Sequence, residues 1–282
     1  MKRVLKDLAT IGLVLAAACI LFPMVFVYLI HVTTPPKPPN LFAQLVDAKT
    51  LKFEPSGNVR FNGQLLQKLH TDETGNWPPD LKNSQEGKPD PAGVVDLGSD
   101  TWLLTCATIK SKAGEDSNAR VTDNYIYQRQ TKKYRPVASL SEARGLHSML
   151  KLSDGRILIF GGYDNSANCI GSIELLDLKK NTCSIIAHSS EPRVSATLVE
   201  IAPNTVLAIG GHYPESTMVE RINVDDHSCV TLGHLNKSRC FTTAVYRVSS
   251  TEYLVTGGSN GLSEPDSSDL PPELIKVPAE KH

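Results

Sequence analysis

Three arginines recur at the same place in a repeated pattern and are the strongest candidates for ligand chemistry. Arg144, Arg193 and Arg239 follow one another about every 46–49 residues. A guanidinium group binds carboxylates through paired N–H donors, so arginines converging at one end of a channel would bind a carboxylate or an acidic sugar. The alternative is structural: each arginine would pair with backbone carbonyls or with a glutamate of a neighbouring repeat. Glu174 and Glu220 recur with the same rhythm, which favours salt bridges between neighbouring repeats.

Other polar clusters do not predict catalysis. His227, Cys229, His234 and Cys240 lie close in sequence, but their spacing matches no compact metal motif. The chain carries no glycine-rich phosphate loop and no nucleophile elbow. We therefore expect no catalytic residues, no metal and no cofactor. The net charge of −1 offers no basic field, so nucleic acid is not an expected partner.

Variable loops that follow each repeated Gly-Gly pair are the best candidates for a binding surface. They read YDNSANCIGS, HYPESTM and SNGLSEPDSSDLPP, and they differ in length while the spacing within the aligned segments stays nearly constant. Loops that vary on a rigid scaffold commonly carry binding residues. The predicted binding residues are Arg144, Arg193, Arg239, Tyr163, Asp164, His212 and Tyr213.

The repeats themselves predict short strands joined by turns. The aligned units begin at Arg144, Arg193 and Arg239, and they contain the apolar runs RILIF, TVLAI and EYLVT, each ending near a Gly-Gly pair. Such runs indicate strands that are buried on both faces, and we expect them to be the innermost strands of their sheets. A weaker copy, DLGSDTWLLTCA, lies upstream, and ELIKV near the C-terminus indicates one further third strand.

The stretch from Ser141 to Asp177 resembles the kelch repeat family. Its motifs follow the kelch order: arginine, an aliphatic strand, Asp-Gly, a second aliphatic strand, Gly-Gly and then Glu-aliphatic-Asp. The resemblance implies four-stranded blades and a β-propeller. It departs from the family where kelch repeats usually carry tryptophan, because Tyr134, Cys183 and Cys229 stand there.

The predicted fold class is therefore all-β, a kelch-like propeller of about four blades over residues 92–282, preceded by one transmembrane helix. Residues 44–91 form an N-terminal segment that can supply a strand to the truncated last blade. With so few blades, either the ring closes or the sheets form an open arc. An open arc would expose strand edges and favour self-association.

The N-terminus has the composition of a membrane anchor. Residues 8–30 contain no charged side chain, and Lys2, Arg3 and Lys6 precede them, which predicts a cytoplasmic N-terminus and an extracytoplasmic C-terminal domain. The expected organisation is a tail at 1–7, an anchor at 8–31 and a Pro-rich linker at 32–43. Lipidation at Cys19, or cleavage of the segment, is the alternative.

Together these features predict a membrane-anchored, extracytoplasmic interaction module that binds a protein or a glycan. The kelch resemblance also leaves open a carbohydrate-active enzyme of the sugar mutarotase or oxidase type, or a truncated relative without catalytic activity. An enzyme would need acid, base or metal groups that converge at one channel mouth, whereas a binding module would expose an apolar or aromatic patch on the loop face.

Overall fold

The structure is a computed structural model that describes residues 41–71, 78, 81, 89–106, 108–109, 121–259 and 270–279. The chain divides into two compact units, Met1–Pro38 and Pro39–His282, and all described residues belong to the second. The predicted anchor at 8–31 therefore lies outside the described residues. Within them, the helical structure is one short 3-10 turn, Ala48–Thr50, and no helix is both long and apolar enough to cross a membrane.

Four antiparallel sheets follow one another along the chain and make up most of the fold. Sheet I contains the strands Gly93–Gly98, Thr101–Thr105, Asn124–Gln128 and Lys133–Val137. Sheet II contains Ser148–Lys151, Ile157–Phe160, Ser172–Asp177 and Thr182–His188. Sheet III contains Thr197–Ala202, Thr205–Ile209, Met218–Asn223 and Ser228–His234. In each of these three sheets, every strand pairs with the strand of the same sheet that follows it along the chain.

Sheet IV combines both ends of the described chain. Its strands are Cys240–Arg247, Glu252–Ser259, Glu273–Lys276 and the N-terminal strand Phe42–Leu45. The N-terminal strand pairs antiparallel with Glu273–Lys276 and so occupies the outer position of the sheet. The all-β character of the sequence prediction is confirmed by these sheets.

Smaller strands complete the described fold. Leu51–Phe53, Val59–Phe61 and Gln64–Leu65 form a three-stranded sheet, which we call the cap sheet. Pro89–Asp90 pairs with Thr108–Ile109, and Gln67–Lys68 pairs with the first strand of sheet IV.

The Gly-Gly-terminated strands are not innermost, which corrects the expectation from the sequence. Ile157–Phe160 and Thr205–Ile209 are each second in their sheet, and Glu252–Ser259 is the middle strand of sheet IV, in which Gln67–Lys68 occupies the edge beyond Cys240–Arg247. The first strands of consecutive sheets lie next to one another instead, and the fourth strands of sheets II and III carry most of the exposed positions. The second strands are buried almost throughout because they have a strand on either side and a neighbouring sheet on each face.

Three apolar cores join consecutive sheets. Met149 and Ile157 of sheet II pack against sheet I, Leu158 and Phe160 pack against sheet III, and a third core of the same kind joins sheets III and IV. A closed ring of four sheets would need a fourth core between sheets IV and I. Among the described residues, no hydrophobic cluster contains residues of both sheets.

The segment that precedes sheet I packs against the faces of sheets IV and I that lie outside these three cores. Val59 and Leu66 pack on Tyr246 and Leu254 at the free face of sheet IV, and Leu81 packs at the free face of sheet I. The same segment also runs along the first strands, where Leu69 donates its backbone N–H to Val245 at 2.8 Å. These contacts bury apolar residues on those two faces.

Candidate functional site

The three repeated arginines lie in the interior of the sheets, not on a ligand-facing surface. Arg144, Arg193 and Arg239 have no solvent-exposed side chain. Each forms a buried ion pair with a glutamate in the third strand of its own sheet: Arg144 Nη2 with Glu174 at 2.6 Å, Arg193 Nη1 with Glu220 at 2.7 Å, and Arg239 Nη2 with Glu273 at 3.0 Å. The ion pairs are therefore within sheets, and the prediction of salt bridges between neighbouring repeats is wrong.

Each arginine also binds the Gly-Gly turn of its sheet. Guanidinium nitrogens donate to the carbonyl of the first glycine, at 2.8 Å for Gly161, 2.7 Å for Gly210 and 2.8 Å for Gly257. Glycine is required there because a Cβ on Gly210 would lie 2.1 Å from the carbonyl oxygen of Arg239, and the φ angle of +62° disfavours other residues. The arginine and the glycine pair thus form one packing unit.

The glutamates hold the linkers that connect one sheet to the next. Backbone N–H groups of Ser141, Ser190 and Asn236 donate to Glu174, Glu220 and Glu273 at 2.7, 2.9 and 2.6 Å. Each Arg–Glu pair thereby ties together a linker, a Gly-Gly turn and a third strand. All three guanidinium groups are used in this way, so we assign the arginines a structural role.

Electrostatics agree with a structural ion pair at Glu220. Burial alone raises the pKa of this carboxyl, but the Arg193 charge and the hydrogen bonds from Ser189, Arg193 and Ser190 outweigh it and leave the pKa below its usual value. Glu220 is therefore ionised at neutral pH and fully paired in the interior.

Within the described part of the chain, no three His, Cys, Asp or Glu side chains are grouped so that they could hold a metal ion. None of the five cysteines there forms a disulfide. Cys229 lies beside Glu220, and burial together with the charge of Glu220 raises the pKa of its thiol well above the usual range.

The loops that follow the Gly-Gly pairs of sheets II and III enclose a cleft. It has a volume of about 380 Å³ and is lined by six residues: Leu146, Tyr163, Ala167, Cys169, Val194 and Tyr213. Tyr213 is 54% exposed and Leu146 is 41% exposed, which is high for large apolar side chains. The cleft is thus an accessible, mostly aromatic and aliphatic concavity. We call this end of the sheets, where the linkers and Gly-Gly loops meet, the loop end.

Backbone pairing between linkers and loops shapes the cleft. Gly145 pairs with Tyr163, and Val194 pairs with His212, as isolated antiparallel bridges. Leu146 then adopts a φ of 49° and Tyr213 a φ of 55°. Left-handed conformations are uncommon for such residues and are found where surrounding structure enforces them.

Further contacts hold the loops that flank the cleft in place. The Cys169 Sγ contacts the Tyr213 carbonyl oxygen at 2.7 Å, and the His212 and Tyr213 rings meet edge to face at 4.3 Å. Asp164 accepts hydrogen bonds from the backbone N–H groups of Ser166 and Asn168 at 2.8 and 2.9 Å. Asp164 therefore shapes its own loop, while Tyr163 and Tyr213 line the cleft.

Sequence reasoning identified part of this cleft and missed the rest. The predicted loop residues Tyr163 and Tyr213 line it, and His212 supports Tyr213. Leu146 and Val194 were missed because they belong to linkers, which the pattern indicated only as the start of each repeat. A signal was available: Leu146 and Phe241 occupy the same position, two residues after the repeated arginine, and both are exposed apolar residues.

Comparison with known proteins supports the repeat assignment. Residues 152–189 match the family model described as "Kelch motif". They begin just before the second strand of sheet II and end just after its fourth. The match agrees, over this one repeat, with the kelch resemblance of the sequence, and the succession of four-stranded antiparallel sheets is consistent with propeller blades.

One solved structure, titled "Structure of YjhT", is similar with a TM-score of 0.45 and 12% sequence identity. The similarity covers 63% of this chain and 60% of that chain, so this chain spans less than two thirds of the length of that neighbour. The comparison with curated proteins gave no match.

Proposed function

We propose that this chain is a binding module that holds a protein or glycan ligand in the cleft between sheets II and III. The observation that carries the proposal is the exposure of Tyr213 and Leu146 around a cavity of about 380 Å³ at the loop end. Kelch sheets support an interaction role in general. Exposed aromatic side chains at the edge of a concavity commonly become the centres of binding energy once a ligand buries them.

The cleft is also held in shape before any ligand arrives. The Cys169–Tyr213 contact, the bridge between Val194 and His212 and the turn around Asp164 hold both flanking loops. A ligand therefore loses little affinity to the ordering of these loops. The same contacts fix the Tyr213 backbone, so its ring is presented from a defined position.

Binding through the cleft can be tested without knowing the natural ligand. The full-length chain, reconstituted in lipid nanodiscs, would be probed in parallel with a random peptide library displayed on phage and with a glycan array. The proposal predicts binders that are lost by Tyr213→Ser and kept by Phe53→Ser, a matched control because Phe53 is a 60% exposed aromatic residue on the cap sheet. Binders that tolerate Tyr213→Ser equally well would contradict it.

We further propose that residues 8–30 anchor the chain in a membrane, with the sheets on the extracytoplasmic side. The support is the uncharged apolar run, its length and the preceding Lys2, Arg3 and Lys6. Fusions at the C-terminus test this topology: alkaline phosphatase is active only outside the cytoplasm, so an active phosphatase fusion is expected. An inactive phosphatase together with a fluorescent cytoplasmic reporter fusion would contradict it.

A further inference from the structure

Basic residues are concentrated in one part of sheet I. Residues 124–141 contain four of them, Arg129, Lys132, Lys133 and Arg135, and no acidic residue. The whole chain has a net charge of −1, so this excess is a local feature. All four residues are exposed, and they lie in the last turn of sheet I and on its outer strand.

The side chains of Lys133 and Arg135 project on the face of sheet I that is turned towards sheet II. Arg135 is the register partner of Ile126, and Val137 follows two residues later on the same strand. Residues directly opposite one another, and residues two apart on one strand, share a face of a sheet. Because Ile126 and Val137 pack in the core between sheets I and II, the exposed Lys133 and Arg135 lie at the outer margin of that interface.

A turn of sheet II brings two further lysines to this margin. Lys179 and Lys180 lie between the third and fourth strands of sheet II, and both are exposed. This turn contacts the end of the outer strand of sheet I, because the Ala138 backbone N–H donates to Asn181 Oδ1 at 2.9 Å. We call the five exposed cations along this margin the basic strip: Lys132, Lys133, Arg135, Lys179 and Lys180.

The carboxylates nearest the strip have partners of their own. They form the ion pairs Asp100–Arg129 at 3.8 Å, Asp154–Arg156 at 2.6 Å and Asp177–Lys180 at 3.7 Å. Asp177 also accepts the backbone N–H groups of Lys180 and Lys179, which lower the pKa of its carboxyl.

One more carboxylate, Asp123, lies beyond the end of the outer strand and accepts the Ser139 hydroxyl at 3.3 Å. With Asp100 and the segments 123–139, 154–156 and 177–181 counted together, basic residues still outnumber acidic ones by seven to four. The strip therefore keeps a net positive charge.

Protection of an exposed sheet edge does not explain the strip. Lysine and proline on an outer strand hinder pairing with other chains, and Pro136 already interrupts the donors of this strand. The outer strands of sheets II and III, Thr182–His188 and Ser228–His234, lie at edges too but contain no lysine or arginine. Moreover, Lys179 and Lys180 lie in a turn, so the positive charge needs another explanation.

We infer that the basic strip is a second binding site, apart from the cleft, and that its ligand is an anionic polysaccharide with carboxylate or sulfate groups on its repeating sugars. The outer strand of sheet I is about 17 Å long. Cations along this strand and in the turn at its end are complementary to a ligand whose negative charges also recur along a chain.

The composition of the strip favours a polysaccharide over a protein partner. Protein interfaces centre on buried aromatic and aliphatic side chains and are depleted in lysine. Among the described residues, none of the highly exposed large apolar side chains lies in the segments 123–139, 154–156 and 177–181. Recognition there consequently depends on charge.

The test uses the full-length chain in nanodiscs of phosphatidylcholine, so that lipid headgroups do not compete as anions. Fluorescently labelled polygalacturonate and dextran sulfate are the probes, and neutral dextran, polyglutamate and a DNA duplex are measured beside them. Both anionic polysaccharides are expected to bind at about 0.05 M salt, with Kd raised about tenfold or more at about 0.5 M, because salt screens exposed charges. Neutral dextran should not bind.

Paired charge reversals locate the site. Lys133→Glu/Arg135→Glu is expected to raise Kd for both polysaccharides about tenfold at the lower salt concentration. Lys49→Glu/Lys52→Glu makes the same change in net charge at two exposed residues of the 3-10 turn and the cap sheet, and it should stay within about twofold of wild type.

Lys179→Glu/Lys180→Glu is an independent pair of substitutions in the strip, and we expect it to weaken binding in the same way. Unchanged far-UV circular dichroism and thermal midpoint confirm that the variants are folded.

Three results would overturn the inference. The first is a wild-type chain that binds neither anionic polysaccharide, and the second is equal weakening by the reversals in the strip and in the cap sheet. The third is tighter binding of polyglutamate or DNA than of both polysaccharides.

Failure of the strip can be told from failure of the cleft. Tyr213→Ser should leave Kd for the polysaccharides within about twofold of wild type, and the strip variants should still bind the peptides selected on the cleft. On the glycan array, an anionic glycan that tolerates Tyr213→Ser but is lost by Lys133→Glu/Arg135→Glu is a ligand of the strip and supports the inference.

Discussion

Removal of Arg193 should destabilise the chain far more than removal of an exposed arginine. Arg193 donates to the carbonyl of Gly210 at 2.7 Å, to the Ser189 hydroxyl at 2.8 Å, to the Glu191 carbonyl at 3.0 Å and to Glu220 at 2.7 Å. Arg193→Met keeps much of the side-chain volume but removes all four bonds and leaves the Glu220 carboxylate buried without its counter-charge.

Breaking a buried pair by removing one partner costs about 3–5 kcal/mol. Glu220 would retain its bonds from the Ser189 hydroxyl and from the N–H and hydroxyl of Ser190, so we expect a value near the lower end of that range. Arg193→Met/Glu220→Gln removes the unpaired charge, and it should be about 1–2 kcal/mol more stable than Arg193→Met alone.

Urea unfolding of the full-length chain in detergent, followed by far-UV circular dichroism, gives the free energies of unfolding by linear extrapolation. Arg129→Met is the matched control, because Arg129 and Asp100 form a 3.8 Å ion pair in which both side chains are nearly half exposed. That control should cost less than about 1 kcal/mol. If Arg193→Met were as stable as Arg129→Met, the structural role assigned to the repeated arginines would be refuted.

Three further predictions concern acidity, glycine and the cap sheet. The pKa of Glu220 is below its usual value of 4.5, so its contribution to stability is present above that pH and is lost on acidification. In an acid titration, the unfolding free energy of Glu220→Gln should therefore fall less steeply than that of wild type. Equal slopes for the two proteins would contradict this. Gly210→Ala should lower the free energy of unfolding in urea clearly more than Gly155→Ala. Both glycines have positive φ, and that strain alone is worth about 1–2 kcal/mol, but only a Cβ at Gly210 would meet a backbone carbonyl, whereas nothing lies within 4 Å of Gly155. Equal losses would refute the packing argument. Val59→Asp should destabilise the chain by about 3 kcal/mol or more and produce larger species in size-exclusion chromatography, whereas Phe53→Asp should do neither. The two residues are register partners, but the Val59 side chain is 1% exposed and the Phe53 side chain 60% exposed. Similar behaviour of both variants would refute the covering role of the cap sheet.

Sheet II illustrates how far the sequence predicts the fold. The apolar run before Gly161, the Asp-Gly pair ahead of it and the Glu-aliphatic-Asp segment after it predicted strands that the structure contains at Ile157–Phe160 and Ser172–Asp177. Local pattern and turn chemistry were enough for this, because hairpin strands pair with their neighbours in the chain. The order of strands from the inside outwards was mistaken, because burial on both faces does not distinguish a first strand from a second.

The candidate site depended on contacts that sequence spacing cannot show. The repeats aligned the arginines with Glu174 and Glu220, yet they did not reveal that each pair closes within one sheet or that Glu273 completes a third pair. Likewise, Leu146 enters the cleft because its linker is bridged to the loop of its own sheet through Gly145 and Tyr163. Such juxtapositions follow from the register of strands that are distant in sequence.

The most direct test of the central claim is a photo-crosslinking measurement at the cleft. A benzophenone amino acid would replace Tyr213 in one variant and Phe53 in another, and each full-length chain would be irradiated with the peptides selected on wild type. The account predicts crosslinked product from position 213, competed by excess unlabelled peptide, and none above background from position 53. Crosslinking from position 53, or from neither position although the peptide is bound, would contradict the claim that the loop-end cleft between sheets II and III is the binding site.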